Sequence, residues 1–269
     1  MAGMRRIGQR LRGTFSWGYL FFLYLPILIL PLFSFNDSYY ISFPLKGFTT
    51  RWYQELSADP SILGALLTSL QIACAAAVLS TLLGLMSARA LTRHRVRGEK
   101  SLLGVIMLPL VVPELIIGVS LLTMLNHASA GLGKWAVVLG HVLICYPFSV
   151  AILMSRMEGF DKSLEEASLD LGSTHWQTFR WVVLPLALPG VIASVLLTFT
   201  ISFDEFLIAF FLSSNEPTLP VYIWGQLRFP KKLPSTLALG TAIIFVSFAV
   251  VAFAEWLRRR DAPKKEASQ

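Results

Sequence analysis

Six stretches of this chain are long, apolar and nearly free of charge, and a water-soluble fold has no place for all of them. Residues 15–35, 60–88, 135–155 and 233–254 carry no Asp, Glu, Lys or Arg, 101–126 carries only Glu114, and 181–215 carries only Asp204 and Glu205. A helix of about 20 residues crosses the ~30 Å hydrocarbon layer, and each stretch reaches that length. The expectation is an all-α membrane protein of six transmembrane helices, at about 15–35, 62–88, 102–125, 135–155, 184–213 and 234–256, forming one domain over 1–269.

Composition excludes the alternatives. Only 14% of residues are charged, against roughly 25% in soluble domains, and mean hydropathy is +0.63. So little polar sequence could not cover a water-soluble enzyme, and so much apolar sequence is not that of a disordered chain. Cys74 and Cys145 both lie inside apolar runs, which leaves no disulfide framework and no Cys/His metal spacing.

Most of the 23 Lys and Arg residues sit beside alternate ends of the spans. Arg5 to Arg12 precede the first, Arg89 to Lys100 follow the second, Arg156, Lys162 and Arg180 follow the fourth, and Arg258 to Lys265 follow the sixth. The opposite loops hold only Lys46, Arg51, Lys134, Arg228, Lys231 and Lys232. Because basic residues near a span stay cytoplasmic, both termini are expected inside. The first apolar run is about twice a signal-peptide core and has no small-residue cleavage site, so it is expected to be retained. The net charge of +7 is spread over juxtamembrane loops, which speaks against nucleic acid as a partner.

Packing is also foreshadowed. Ser69, Ala73, Ala76, Ser80, Gly84 and Ser87 recur at steps of three and four in span two, a small-residue stripe that lets another helix come close. This stripe and span one are the expected contacts to a second membrane subunit. Pro26, Pro31, Pro109, Pro113 and Pro147 are expected to kink spans one, three and four. His141 reads as a helix–helix hydrogen bonder. The outer loops, 36–59 with Tyr39, Tyr40, Trp52 and Tyr53, and 214–232 with Tyr222 and Trp224, suit either an interfacial aromatic belt or a docking surface.

The cytoplasmic loop between spans four and five, about 157–183, holds Glu165-Glu166-Ala167-Ser168-Leu169-Asp170-Leu171-Gly172, followed after nine intervening residues by Val182-Val183-Leu184-Pro185. The first segment reads as a short helix, with Asp161 and Ser163 as caps, Glu165 and Glu166 in its first turn and Gly172 as its stop. Its spacing closely resembles the EAA loop of ATP-binding cassette importer permeases. Glu166, Ala167, Gly172, Leu184 and Pro185 match that pattern, with Ser168 in place of its second Ala and Val182 in place of its Ile. Further segments, among them Ser34-Phe35-Asn36-Asp37-Ser38, Pro113-Glu114 and Ser202-Phe203-Asp204-Glu205-Phe206, resemble the spermidine/putrescine (PotC/PotI-like) permease family.

The resemblance implies a type I importer permease fold with N-in/C-in topology in a bacterial inner membrane. It implies that Glu165, Glu166, Ala167, Asp170, Gly172, Leu184 and Pro185 couple the chain to an ATPase. It also implies a second permease subunit, two cytoplasmic ATPase subunits that bind the ATP and Mg, and an external solute-binding protein. Trp52, Glu114, Ser202, Asp204 and Glu205 are the positions it suggests along the substrate pathway. One departure, Lys232 to Thr241 where the family usually has a Pro-Glu-Ile-Asn-Ala-Leu-Ala-Thr-like run, leaves the solute open between a polyamine and another small organic molecule such as a betaine, opine or amino-acid derivative.

The chain is expected to hold no cofactor and catalyse nothing itself. A phosphate-binding loop ending at Gly133-Lys134 would need Gly at 128 and Ser or Thr at 135, where Ala128 and Trp135 stand. The four histidines lie on separate segments, and no nucleophile–base set is present. Three acids inside apolar runs are the physical anomaly, each costing roughly 2.5–3.5 kcal/mol if ionised at mid-bilayer. Ser194, Thr198, Ser202 and Glu205 fall on one helical stripe, expected to line the path with Asp204 beside it and Glu114 on the same cavity. A gradient-driven carrier or channel would use such acids but leaves the loop spacing without a role.

Overall fold

The structure is a computed structural model that describes residues 2–93 and 97–261, with side chains at 15–93, 97–249 and 252. The side chains of Arg5, Arg6, Arg10, Arg12 and Arg258 to Arg260, and the whole of Arg95, Lys264 and Lys265, lie outside it. Among the described residues the chain forms α1 (Ala2–Ser34), α2 (Arg51–Ala58), α3 (Pro60–Arg93), α4 (Glu99–Met107), α5 (Glu114–His127), α6 (Lys134–Glu158), α7 (Ser163–Asp170), α8 (His175–Thr178), α9 (Leu184–Asp204), α10 (Leu207–Leu212), α11 (Leu219–Gln226) and α12 (Leu233–Asp261). Two compact units result, residues 1–60 with 223–269 and residues 61–222.

In the first unit α1 and α2 pack on α12. Along α1 the side chains from Phe15 to Ile29 are all exposed, left for lipid or another subunit, while Phe33 and Ser34 at its end are buried. The outer segment after α1 is tied down by hydrogen bonds. Thr49 N–H donates to Phe35 O and Asp37 N–H to Gly47 O, and Trp52 Nε1 donates to Asn36 O at 2.8 Å. The Arg51 guanidinium lies 4.2 Å over the Trp52 ring and pairs with Asp37 at 3.3 Å.

The second unit is organised around α6. Lipid gives apolar helices no reason to associate, so close packing and interhelical hydrogen bonds must hold them, the latter at about 0.6 kcal/mol each and at most about 1.7. Both are present. Gly84 of α3 lies against Ser149 of α6 so closely that a Cβ there would sit 2.8 Å from the Ser149 Cβ. Around that contact Ser149 Oγ and Thr81 Oγ1 each bond Ser194 Oγ of α9, at 2.8 and 3.0 Å. Ser87 Oγ meets Tyr146 OH at 2.6 Å.

This corrects one expectation. The small-residue stripe of span two is buried inside the chain, with Ser69, Ala73, Ala76, Ser80 and Gly84 all covered, and Gly84 and Ser87 meet α6. It is therefore not surface for a second subunit.

Span three is also more than a kinked helix. α4 and a short 3-10 turn over Leu108–Leu110 meet α5 at 95°. Pro109 has no N–H to continue the α pattern, and Pro113 drives Val112 out of the helical region. The bent pair begins at Glu99, grouped with Arg93 and Glu158. It ends near Gly133, whose N–H bonds Leu212 O. It thus traverses the unit, and the spans number six with the pair counted as one.

Span five begins earlier than residue 184. Residues His175 to Asp204 run as one apolar rod of 30 residues through a π-helical turn at Phe179–Val183, where Pro185 can give no N–H to the preceding turn. It then stops at Glu205, which is extended (ψ 126°), before the short α10.

Candidate functional site

The loop that joins α6 to span five holds the expected short helix and Gly172 stop, but α7 starts at Ser163 after Lys162 with no side-chain cap, so Ser163 is its first residue rather than a cap. The N–H of Ser163 donates to Asp161 Oδ1 at 3.0 Å, and the bonds from Ser163 hold the Asp161 carboxyl below the usual carboxylate range. α7 ends in a Schellman closure, Gly172 N–H to Leu169 O and Ser173 N–H to Ser168 O. That closure needs a left-handed residue, and Gly172 sits at φ +85°. Thr174 then starts α8 with a reciprocal capping box to Gln177.

Ser168, the departure from the loop pattern, bonds Thr178 Oγ1 at 3.0 Å, so its hydroxyl ties α7 to α8. Glu166, Ala167, Asp170 and Leu171 are exposed, and Leu171 is 88% exposed. Leu184 and Pro185 lie at the first turn of α9, Leu184 half-buried and Pro185 exposed. The loop thus presents an exposed short helix with a bare apolar residue, Leu171, at its end.

Glu165 differs from its neighbour. Its carboxylate turns inward, 2.6 Å from Arg93 Nε and 3.5 Å from Arg89 Nη2. The two arginines are spaced i, i+4 on α3, which puts them on one face. Sequence reading assigned them only to topology, and that spacing was the available signal.

The intramembrane acids separate into two kinds. Glu205 is buried at the break between α9 and α10. Its Oε1 accepts from Ile208 N–H at 2.9 Å, its Oε2 accepts from Ala209 N–H at 3.1 Å, and the same Oε2 lies 3.1 Å from His141 Nε2. His141, fully buried on α6, meets Ser202 Oγ through Nδ1 at 2.7 Å. Opening a helix inside a membrane frees N–H groups that cannot be left unbonded, and Glu205 supplies their acceptors. The expected path-lining stripe of Ser194, Thr198, Ser202 and Glu205 is accordingly packed against α3 and α6 within the chain. Its polar groups serve helix packing.

Asp204 and Glu114 are exposed, and neither forms an ion pair among the described residues. Asp204 is the last residue of α9 and Glu114 the first of α5. Gly118 of α5 faces Leu207, Ile208 and Phe211 of α10, while Leu121 and Leu212 both approach Gly140. The two short helices therefore run in parallel, with Glu114 at the start of α5 and Asp204 just before the break that precedes α10. A carboxylate at a helix C-terminus adds to the negative dipole there instead of opposing it. The end of α9 is thus a cation-attracting point. Trp52, the fifth suggested pathway residue, is wholly buried in the first unit with its N–H committed to Asn36, which makes it an anchor for the outer segment.

Broken membrane helices with charge at the break are a feature of membrane transport proteins. The chain belongs to the family of binding-protein-dependent transport system inner membrane components, whose pattern matches residues 80–261. Among its relatives is the spermidine/putrescine transport system permease protein PotC of Haemophilus influenzae, 36% identical over 253 residues that cover 93% of this chain and 97% of that one. The putrescine transport system permease protein PotI of Escherichia coli K12 is 37% identical over 255 residues, 89% of this chain and 90% of that one. A subunit of a bacterial ABC transporter that imports the acidic polysaccharide alginate shares the fold, with TM-score 0.74 at 15% identity over 92% of this chain and 96% of that chain. The same holds for a bacterial alginate ABC transporter in complex with its pentasaccharide-bound periplasmic protein, with TM-score 0.71 at 17% identity over 96% and 95%.

Proposed function

We propose that this chain is one permease subunit of an ATP-driven importer for a small organic polycation, putrescine or spermidine. The carrying observation is the pair of exposed carboxylates, Asp204 and Glu114, at the two helix breaks, read beside the names of the PotC and PotI relatives. An alkyl diammonium leaving water needs anions for its ends and apolar walls for its methylenes. The α9 C-terminus, whose last carbonyls have no helical partners, adds negative potential beside Asp204.

The partners follow from the same reading. α7 seats on a cytoplasmic ATPase subunit, of which the importer has two, and these supply the ATP and Mg chemistry. A second permease supplies the other half of the path, with α1 as a surface for it, and an external binding protein delivers the solute. Affinity at Asp204 and Glu114 stays modest, since a deep trap would prevent release. The departure at Lys232 to Thr241 favours, as a second reading, the same importer with a different small organic solute.

The test is uptake of labelled putrescine by the reconstituted importer. Losing a charge-assisted contact costs about 1.5–3 kcal/mol, so Asp204→Asn and Glu114→Gln should each lower uptake roughly ten- to a hundredfold. Normal putrescine uptake by the double variant, or a response restricted to neutral or anionic solutes, removes the polyamine reading.

A further inference from the structure

We propose that the ion pair of Glu165 with Arg93 and Arg89 is the strut that transmits movement of the loop helix α7 to the end of span two, and that Arg93 and Arg89 are positioning residues for coupling. The proposal rests on the reading that α7 docks on the ATPase and adds where its motion goes next. α7 is joined covalently to spans four and five only. α3 has no chain connection to it, yet α3 carries the Gly84, Thr81 and Ser87 contacts that hold α6 and α9.

Little apolar packing is available to drive α3 from α7. α7 buries none of its residues, and a cavity of about 940 Å³ separates its inner face from Leu82, Leu85 and Met86 of α3. Across that gap the charged groups make the link. Arg93 Nε meets one carboxylate oxygen of Glu165 at 2.6 Å, and Arg89 Nη2 meets the other at 3.5 Å. The Arg89 guanidinium also lies 4.9 Å from the Phe179 ring centroid in the π-helical turn that opens span five. One guanidinium thus contacts α7 and span five at once. The Glu165 side chain is 16% exposed and that of Arg93 12%, so the pair is shielded enough to be stiffer than a surface ion pair, while Glu166 beside it stays free for an outside partner.

The experiment uses the complete importer in liposomes, with its ATPase, second permease and binding protein, and measures labelled putrescine imported per ATP hydrolysed alongside ATPase retention on the permease. Arg93→Gln and Glu165→Gln should each lower the transport-to-hydrolysis ratio roughly tenfold, the worth of one charge-assisted contact, with the ATPase still bound. The charge swap Glu165→Arg with Arg93→Glu should recover much of that ratio. A wild-type ratio in Arg93→Gln overturns the strut, and so does loss of the ATPase from Glu165→Gln, which would place Glu165 in the docking contact. Glu166→Lys, run in parallel, reports on the docking contact: retention of the ATPase by that variant would remove Glu166 from that contact and leave the strut result to stand or fall on the swap.

Discussion

The imidazole of His141 and the carboxylate of Glu205 lie 3.1 Å apart in the buried interior of the second unit, and this contact decides which of two adjacent acids is available to a solute. Glu205 is held by His141 and by the N–H groups of Ile208 and Ala209. Asp204, one residue earlier, faces outward. Substitutions should therefore separate the two. Glu205→Gln should lower the stability of the detergent-solubilised protein by about 1–3 kcal/mol, because one accepted bond is lost inside a dry site. Asp204→Asn should leave stability within about 0.5 kcal/mol, as exposed changes do, while depressing uptake. Thermal unfolding measured beside transport checks this, and equal destabilisation by both variants would contradict the division of roles.

How much of this was legible beforehand depended on whether the deciding contact was local. The spans were readable because lipid demands length and apolarity of each one separately. The helix of the α7 loop was readable because its first-turn acids and the Gly172 stop act within a few residues. The role of Glu205 was not, since an acid in an apolar run looks the same whether it faces a path or caps a broken helix. The deciding residue, His141, is 64 positions away on another span. Span three fell between the two cases: Pro109 and Pro113 announced a disturbance, but a 95° break depends on α5 finding α10 as a packing partner. The inward turn of Glu165 rests likewise on Arg89, 76 positions away.

Gly172 offers a local test of the docking element. At φ +85° a side chain meets its own backbone, so Gly172→Ala should destabilise the Schellman closure by about 1 kcal/mol. The fold of the membrane spans should be unaffected, since nothing lies within 4 Å of the added carbon. Weaker ATPase binding with unchanged thermal unfolding of the isolated permease is the expected pattern.

The Gly84–Ser149 approach makes a different prediction. A methyl at Gly84 would press into the Ser149 side chain and come within 3.1 Å of its carbonyl carbon, so α3 and α6 would have to separate. Overpacking of this kind costs about 1–3 kcal/mol, and the separation would also stretch the Thr81–Ser194 and Ser149–Ser194 bonds. Gly84→Ala should lower the unfolding temperature, and adding Ser149→Gly should restore part of it by removing the side chain in the way. A Gly84→Ala variant as stable as the parent would mean that the two helices are not packed at this point.

Glu166 is the residue on which the coupling assignment rests. It lies in the first turn of α7, exposed, at the edge of the cavity that Arg89, Arg93 and Glu165 also line. Its charge favours the helix N-terminus and makes no ion pair among the described residues, which leaves it for a basic group on the ATPase. Glu166→Lys reverses the sign of that contact and opposes the α7 dipole at the same time. Like-charge juxtaposition in an interface costs several kcal/mol, so the ATPase subunit should be lost during purification and solute-stimulated hydrolysis should disappear. Membrane insertion and thermal unfolding of the permease should not change, because the side chain is exposed and forms no ion pair among the described residues. Glu166→Gln, which removes the charge without reversing it, should fall between the parent and Glu166→Lys. If Glu166→Lys imports solute at the parental rate with its ATPase bound, α7 docks through some other side chain.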